Sequence, residues 1–197
     1  MRYYTADLHI GHANIITYCD RPFHDVDAMD EAIVDMWNDT VTDDDEIWVL
    51  GDLALGARPG PMGLASLLRG RKILVPGNHD TCWKKKKVAA SANKIYYDAG
   101  FELVHQPDPV TLAGQRVLRS HFPFLVPDSD QRYPDFRPVD HGEWLLHGHI
   151  HNQWRQRGRM INVGLDAWGG QLVTEAQLEE LITAGSQDLD LINWRSY

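Results

Sequence analysis

Two carboxylates, one amide and five imidazoles carry the chemistry this sequence offers: Asp7, His9, Asp52, Asn78, His79, His121, His149 and His151. They fall at the ends of short apolar runs or in the turns that follow, and none is a thiol. Carboxylate, imidazole and amide oxygen together form an N/O donor set of borderline hardness, suited to first-row divalent ions such as manganese, iron, cobalt or zinc. One ion rarely takes more than about six ligands and a catalytic ion keeps positions open, so this many donors imply two ions sharing a bridge. Asp52 is the natural bridge, because a carboxylate has two oxygens. Two divalent ions against the carboxylates of Asp7 and Asp52 leave a formal charge of about +2, which attracts an anion. Taken singly, each short motif is more often a turn or a packed histidine; the ordered set is what carries the metal reading.

The elements that must position these groups are legible from apolar periodicity. Arg2 to Ala6 reads as a strand that delivers Asp7 and His9 to a loop. Asp27 reads as the N-cap of a helix whose Met29, Ile33, Met36 and Trp37 form one apolar face. Glu46 to Leu50 and Lys72 to Val75 are buried-strand patterns that stop at Gly51-Asp52 and at Pro76-Gly77-Asn78-His79-Asp80. Met62, Ala65 and Leu68, with Leu67, suggest a short helix ended by Gly70. From Phe101 onward, FELVH, PVTLAG, QRVLRSH, EWLLHGH and RMINVG read as strands of a second sheet. Thr174 with Gln177 forms a capping box before a last helix carrying Leu178, Leu181 and Ile182, and the residues after Gly185 read as a tail.

Composition bounds the rest. With 43% apolar and 24% charged residues in 197, the chain is an ordinary folded domain, expected to be single over residues 1–197. A net charge of −9 argues against a generally cationic nucleic-acid-coating surface but leaves room for a local basic strip. Two cysteines, Cys19 and Cys82, form no CxxC pair, so neither a disulfide framework nor a thiolate zinc site is expected. No secretion signal or long apolar span is read, so the expected location is the cytoplasm, with no membrane partner.

The blocks D-x-H (Asp7, His9), G-D (Gly51, Asp52), G-N-H-D (Gly77 to Asp80), a lone His (His121) and G-H-x-H (Gly148 to His151) occur in that order. This series resembles the calcineurin-like metallophosphoesterase superfamily, in particular its small single-domain bacterial and phage members. The resemblance implies an α/β fold built as a four-layer α/β/β/α sandwich with mixed sheets and the metal site at the strand ends. It implies that Asp7, His9, Asp52 and His151 hold one ion, and that Asp52, Asn78, His121 and His149 hold the other. Manganese is the first expectation for both, with iron, zinc, cobalt or nickel as alternatives. Two cations roughly 3.5 to 4 Å apart bind phosphoryl oxygens and activate a shared water as bridging hydroxide for in-line attack. His79, adjacent to Asn78 but unassigned to a metal, is placed to stabilise developing charge or to protonate the leaving group, and Asp80 to orient its ring.

Other residues carry two readings each. His12, Asn14 and Arg21 follow the first ligands and either contact substrate phosphate or organise their loop. His147 is either a hydrogen-bonding support or packing, and Asp166 is a candidate to bond the ligand loops beside a core Trp168. Lys84 to Lys87 read as a solvated helix start or a nucleic-acid track. Trp83 reads as core before base stacker. The Pro- and Asp-rich stretch Phe122 to Gly142 mixes Phe122, Phe124, Arg132, Tyr133, Phe136 and Arg137, as a substrate-lining loop or a folded lid would. The expectation is a metal-dependent phosphoesterase acting on a phosphate-ester substrate, which includes nucleotides or nucleic acid. A phosphodiester ranks first, since no cap domain is evident; a phosphomonoesterase, a nuclease, or a non-catalytic metal-dependent scaffold are the alternatives.

Overall fold

The computed structural model describes residues 1–55, 58–83, 90–125 and 131–194; Lys84 to Lys87 and part of the Phe122 to Gly142 stretch lie outside them. The chain is mixed α/β, with two mixed sheets. The first has the order β10-β1-β2-β3-β4, built from β1 (Arg2–Thr5), β2 (Glu46–Val49), β3 (Arg71–Leu74), β4 (Phe101–Leu103) and β10 (Val173–Thr174). β1 to β4 run parallel and β10 pairs antiparallel to β1. The second has the order β11-β8-β9-β7-β6-β5, from β5 (Val110–Leu112), β6 (Gln115–Arg119), β7 (Trp144–His147), β8 (Gln156–Gly158), β9 (Met160–Asn162) and β11 (Gln187–Leu189). In it β6 pairs parallel with β7 and β7 with β9, while β5 with β6, β8 with β9 and β11 with β8 pair antiparallel.

Period-2 alternation divides the core. Tyr3, Ile47, Val49 and Leu74 face a cluster with Met29, Ile33 and Trp37 of α2 (Val26–Thr40), Met62 and Ala65 of α3 (Pro59–Ala65), and Tyr96 of α4 (Ala90–Asp98). Tyr4, Leu50 and Val75 meet Val117, Leu146 and Ile161 in a second cluster between the sheets, joined by Leu178 and Ile182 of α5 (Glu175–Ala184). Each such side chain contributes about 1.5–3 kcal/mol when fully buried. On the outer side of the second sheet Leu145 and Met160 pack with Phe124, Ile150 and Trp154 from loops. β7, flanked on both edges and both faces, is buried throughout, as a central parallel strand must be.

The structure corrects several expectations. Phe101–Leu103 joins the first sheet beside β3, with Leu74 opposite Leu103, since a three-residue strand does not name its partner. The N-cap of α2 is Asp25, whose carboxylate accepts from the Ala28 N–H at 2.9 Å; Asp27 lies in the first turn. α1 (Ala13–Cys19) occupies a segment read only as polar loop, too short for a period to show. The residues after Gly185 include β11, which pairs with β8. The Thr174–Gln177 capping box is present with both of its bonds. Among the described residues no helix is long and apolar enough to cross a membrane.

Asp7 and His9 follow β1, Asp52 follows β2, Asn78 and His79 follow β3, His121 follows β6, and His149 and His151 follow β7. These are the carboxyl ends of parallel strands, where loops of an open α/β sheet converge. The sheets are joined at that end: Ala6 bridges Gly164 beyond β9, and the His149 N–H donates to Asp7 Oδ2 at 2.9 Å.

Candidate metal centre

Five of the candidate ligands sit in left-handed backbone, with φ of 57° at Asp7, 54° at His9, 55° at Asp52, 74° at His149 and 51° at His151. Asp and His tolerate this region better than branched residues. Each such position still costs of order 1–3 kcal/mol and persists only where surrounding bonds over-determine it. Here the Asp7 N–H donates to Gly51 O at 2.9 Å and the His9 N–H to Asp52 O at 3.1 Å, zipping the turn after β1 to that after β2. Motif glycines permit the approach: a Cβ on Gly77 would lie 2.3 Å from Asp52 Oδ1, and one on Gly148 2.6 Å from Asp7 Oδ2.

On the β2 and β3 side, His121 Nδ1 lies 2.8 Å from Leu50 O. A carbonyl only accepts, so Nδ1 carries the proton and a neutral ring leaves Nε2 as a bare lone pair. Nε2 faces Asn78 Oδ1 at 3.2 Å and Asp52 Oδ2 at 3.5 Å. Three electron-rich atoms thus converge. Asp52 Oδ1 accepts from the His79 N–H at 2.8 Å, while Oδ2 lies 3.7 Å from His9 Nε2 and 4.0 Å from His79 Nε2. Buried Asp80 accepts from the N–H groups of Asp52 and Gly77 with Oδ2, both at 2.8 Å, and from Leu53 with Oδ1 at 3.1 Å. These bonds make Asp80 a clamp between two ligand turns.

On the β1 side, His151 Nδ1 lies 3.2 Å from Asp166 Oδ2, which turns Nε2 toward Asp7 Oδ1 at 3.9 Å. Asp7 Oδ1 and His9 Nε2 are buried with no hydrogen-bond partner. Burial pushes the Asp7 carboxyl up and the His9 imidazole down, so a cation would offset the charge of Asp7 and would meet His9 in the neutral form that can ligate it. One ligand atom from each of Asp7, His9 and His151 lies within 4.8 Å of the others, as for Asp7, Asp52 and His121. Cys19, His151 and Asp166 form a third such group, but the Asp166 carboxylate is already paired with Arg21. Orphaned acceptors, facing lone pairs and an N/O donor set fit divalent ions.

Arg21 does not face the mouth. Its side chain is wholly enclosed; Nε and Nη2 donate to the two Asp166 oxygens at 2.8 and 3.0 Å, and Nη1 and Nη2 to Leu8 O and Asp7 O. The phosphate contact considered for it gives way to a brace under the first ligands. Asp166 bonds the ligand loops as expected. His12 is half-buried, with Nδ1 3.2 Å from His9 Nδ1 and its ring 6.0 Å from that of His79; Asn14 is exposed in the first turn of α1. His147 donates from Nδ1 to Gly148 O at 2.8 Å and packs on Trp154, and burial lowers it to about 3. His149 is buried beside His121, with ring centroids 5.2 Å apart. Trp83 is buried against Phe122, Tyr133 and Phe136. Sequence reasoning missed two supports. Asn162 donates to His151 O at 2.8 Å, and Asp30 accepts from the Gly11 N–H at 2.9 Å. Asp30 was signalled by an acid within the buried stripe of α2.

No family model matches the chain. It is 33% identical over 195 residues to the Gene 66 protein of Mycobacterium phage L5, spanning 91% of this chain and 93% of that protein. The Gene 66 protein of Mycobacterium phage D29 is 33% identical over 194 residues, with 91% and 94% covered. A solved structure of a protein of unknown function from Aquifex aeolicus superposes with a TM-score of 0.67 at 24% identity over 92% of this chain and 98% of that one, a likeness of fold.

Proposed function

The chain belongs to the family of the mycobacteriophage Gene 66 proteins, and on that premise and the geometry of its strand ends we propose that it is a dinuclear-metal phosphoesterase. The observation that carries the reading is the convergence of His121 Nε2, Asn78 Oδ1 and Asp52 Oδ2, with Nε2 3.2 and 3.5 Å from the two oxygens. In this reading residues 1–197 form one metallophosphoesterase domain of the calcineurin-like kind, layered α/β/β/α. Asp7, His9, Asp52 and His151 would hold one ion, and Asp52, Asn78, His121 and His149 the other, manganese before iron, zinc, cobalt or nickel. Two divalent ions so held would polarise the phosphoryl oxygens and lower the pKa of a shared water.

The chain's own groups do the rest. Asp166 and the Leu50 carbonyl fix the tautomers of His151 and His121, so that each presents Nε2 to the centre. His79, with a side chain 41% exposed beside Asp52, is the group at the mouth that can donate to a leaving oxygen. The half-exposed His79 and His12 leave the mouth open, which suits a diester with two substituents. The test is hydrolysis of bis(p-nitrophenyl) phosphate by Mn²⁺-loaded protein, abolished by chelation. His79→Ala should retain both ions by calorimetry and lose about 10²–10⁴ in kcat. Ion binding with no turnover of diesters or monoesters would instead leave a metal-dependent scaffold.

A further inference from the structure

On the outer side of the first sheet, α2 and α3 leave between them an open groove of ≈ 410 Å³, lined by none of the candidate ligands. Its floor is apolar: Val34 and Leu64 are half-buried, and Leu67, in the turn that follows α3, is still 58% exposed. Its rim on α2 is acidic, with Asp27, Glu31 and Asp35 exposed and Asp30 buried behind them. With Val34 these acids recur at i, i+3, i+4, i+7 and i+8, so they share one face, next to the stripe of Met29, Ile33 and Trp37 that α2 gives to the core. Among the described residues no Lys, Arg or His lines the groove, and Asp27, Glu31 and Asp35 enter no ion pair. Like charges four residues apart weaken a helix, and so does glycine in place of alanine. Yet α3 carries Gly60 and Gly63 on the side of Leu64, and a Cβ at either would meet nothing within 4 Å. No contact among the described residues asks for the acidic stripe or for the bare helix surface beside it.

Complementarity names the occupant, which must be apolar over the floor and cationic along the rim. The rim repels nucleic acid and anionic lipid surfaces. A second copy of the chain, docked about a two-fold axis through the groove, would set one acidic stripe against another. A groove between two helices accepts a third by ridge-into-groove packing. From Asp27 to Asp35 the stripe advances eight residues, about 12 Å, which matches two turns of such a helix. We propose that this groove docks a basic amphipathic helix of another protein. Its apolar side chains, at i, i+3 or i+4, and i+7, cover Val34, Leu64 and Leu67, and its Lys or Arg residues face Asp27, Glu31 and Asp35. The surface needs neither ion nor ester, so it is independent of the phosphoesterase reading.

The probe is a synthetic peptide of Leu and Lys in that pattern, about 18 residues long so that it can form a helix, titrated into isotope-labelled full-length protein. Amide shifts should concentrate in α2 and α3. A peptide of the same composition in scrambled order, and one with Glu in place of every Lys, should bind at least about tenfold more weakly. Leu67→Ser, at an exposed position, should weaken the patterned peptide about tenfold, the scale of one leucine side chain withdrawn from water. Glu31→Lys should weaken it at least as much. Glu180→Lys, at an exposed position on α5, makes the same change in net charge and should leave Kd nearly unchanged. Equal losses at Glu31 and Glu180, or a scrambled peptide that binds as tightly as the patterned one, would reduce the effect to bulk charge and overturn the docking site. Shifts that avoid α2 and α3 with the peptide in excess, or a Kd unaltered by Leu67→Ser in protein with an unchanged Tm, overturn it as well.

Discussion

Around Asp7, His9 and His151 the bracing is ionic and long-range, whereas around Asp52, Asn78 and His121 it is made by the backbone. In the first half Arg21 grips both oxygens of Asp166 and also the carbonyls of Asp7 and Leu8. Burial opposes the charge of Asp166, yet Arg21 and His151 hold its carboxyl down at about 2. In the second half Asp80 is just as buried but is gripped by three backbone N–H groups. Burial pushes its carboxyl up to about 7, with repulsion from Asp52 adding to the rise. The lesson is about replaceability. A paired buried charge tolerates the loss of its partner poorly, while a carboxylate serving as a set of acceptors can be approximated by a neutral group that keeps some of them.

Arg21→Met tests the strong side of that contrast. It strands Asp166 in the interior, and breaking a buried pair from one side costs about 3–5 kcal/mol. Urea unfolding of metal-free protein should show a loss of that size, and Mn²⁺ calorimetry a missing or weakened site. A loss under about 1 kcal/mol would mean that water or a proton rescues Asp166, and the halves would no longer differ. Asp80→Asn should cost less. Its oxygen can keep the two bonds made by Oδ2, from Asp52 and Gly77, while its NH2 group faces the Leu53 N–H, donor against donor. One unsatisfied buried donor costs about 1–3 kcal/mol. A cost above that of Arg21→Met in the same titration would invert the comparison.

The two halves were unequally legible in the sequence. Asp7, His9, Asp52, Asn78 and the later histidines could be read because each follows an apolar run at a short, fixed offset, often beside a glycine that the close approach requires. Arg21 and Asp166 stand 145 residues apart, and nothing local distinguishes a guanidinium aimed at phosphate from one folded under a ligand loop. The same limit governs the sheets. β1 to β3 were placed within a residue by their apolar runs, whereas β10 has two residues and β4 three, and their partners are decided by tertiary packing. Asp80 was recognised as part of the site, but its backbone grip depends on turns that only the folded chain brings together.

His12 sharpens the comparison at a smaller scale, since in the ionic half even a ligand's outer nitrogen meets a side chain. If an ion takes His9 Nε2, then His9 Nδ1 carries the proton and donates to His12 Nδ1, 3.2 Å away. His12→Phe removes the acceptor while filling similar space at a half-buried position. Removing such a support typically weakens metal affinity about 10–100-fold, so calorimetry should show one weakened Mn²⁺ site, with the unfolding midpoint nearly unchanged. Two unaffected sites would show that His9 is oriented without His12.

The smallest effect is expected at Asp30, where the ionic half has a carboxylate bonded only to backbone in the contacts resolved, like Asp80 in the other half. Its oxygens share the Gly11 N–H at 2.9 and 3.0 Å, holding the turn between His9 and His12. Burial raises this carboxyl to about 6. A carboxyl raised on folding binds its proton more tightly in the native state, so the native state holds more protons across the window between the two pKa values, and stability falls as pH rises there. The contribution is full below about pH 4, the unfolded carboxylate range, and is lost as pH climbs through about 6. Because Asp30 borders an open groove on α2, solvent screens part of the effect, and a change on the order of 1 kcal/mol is expected. Asp30→Asn keeps an acceptor for Gly11 and should flatten that part of the pH profile of metal-free protein in urea. If Asp30→Asn retains the slope, Gly11 is held by a carboxylate that stays charged, and the resemblance of Asp30 to Asp80 fails.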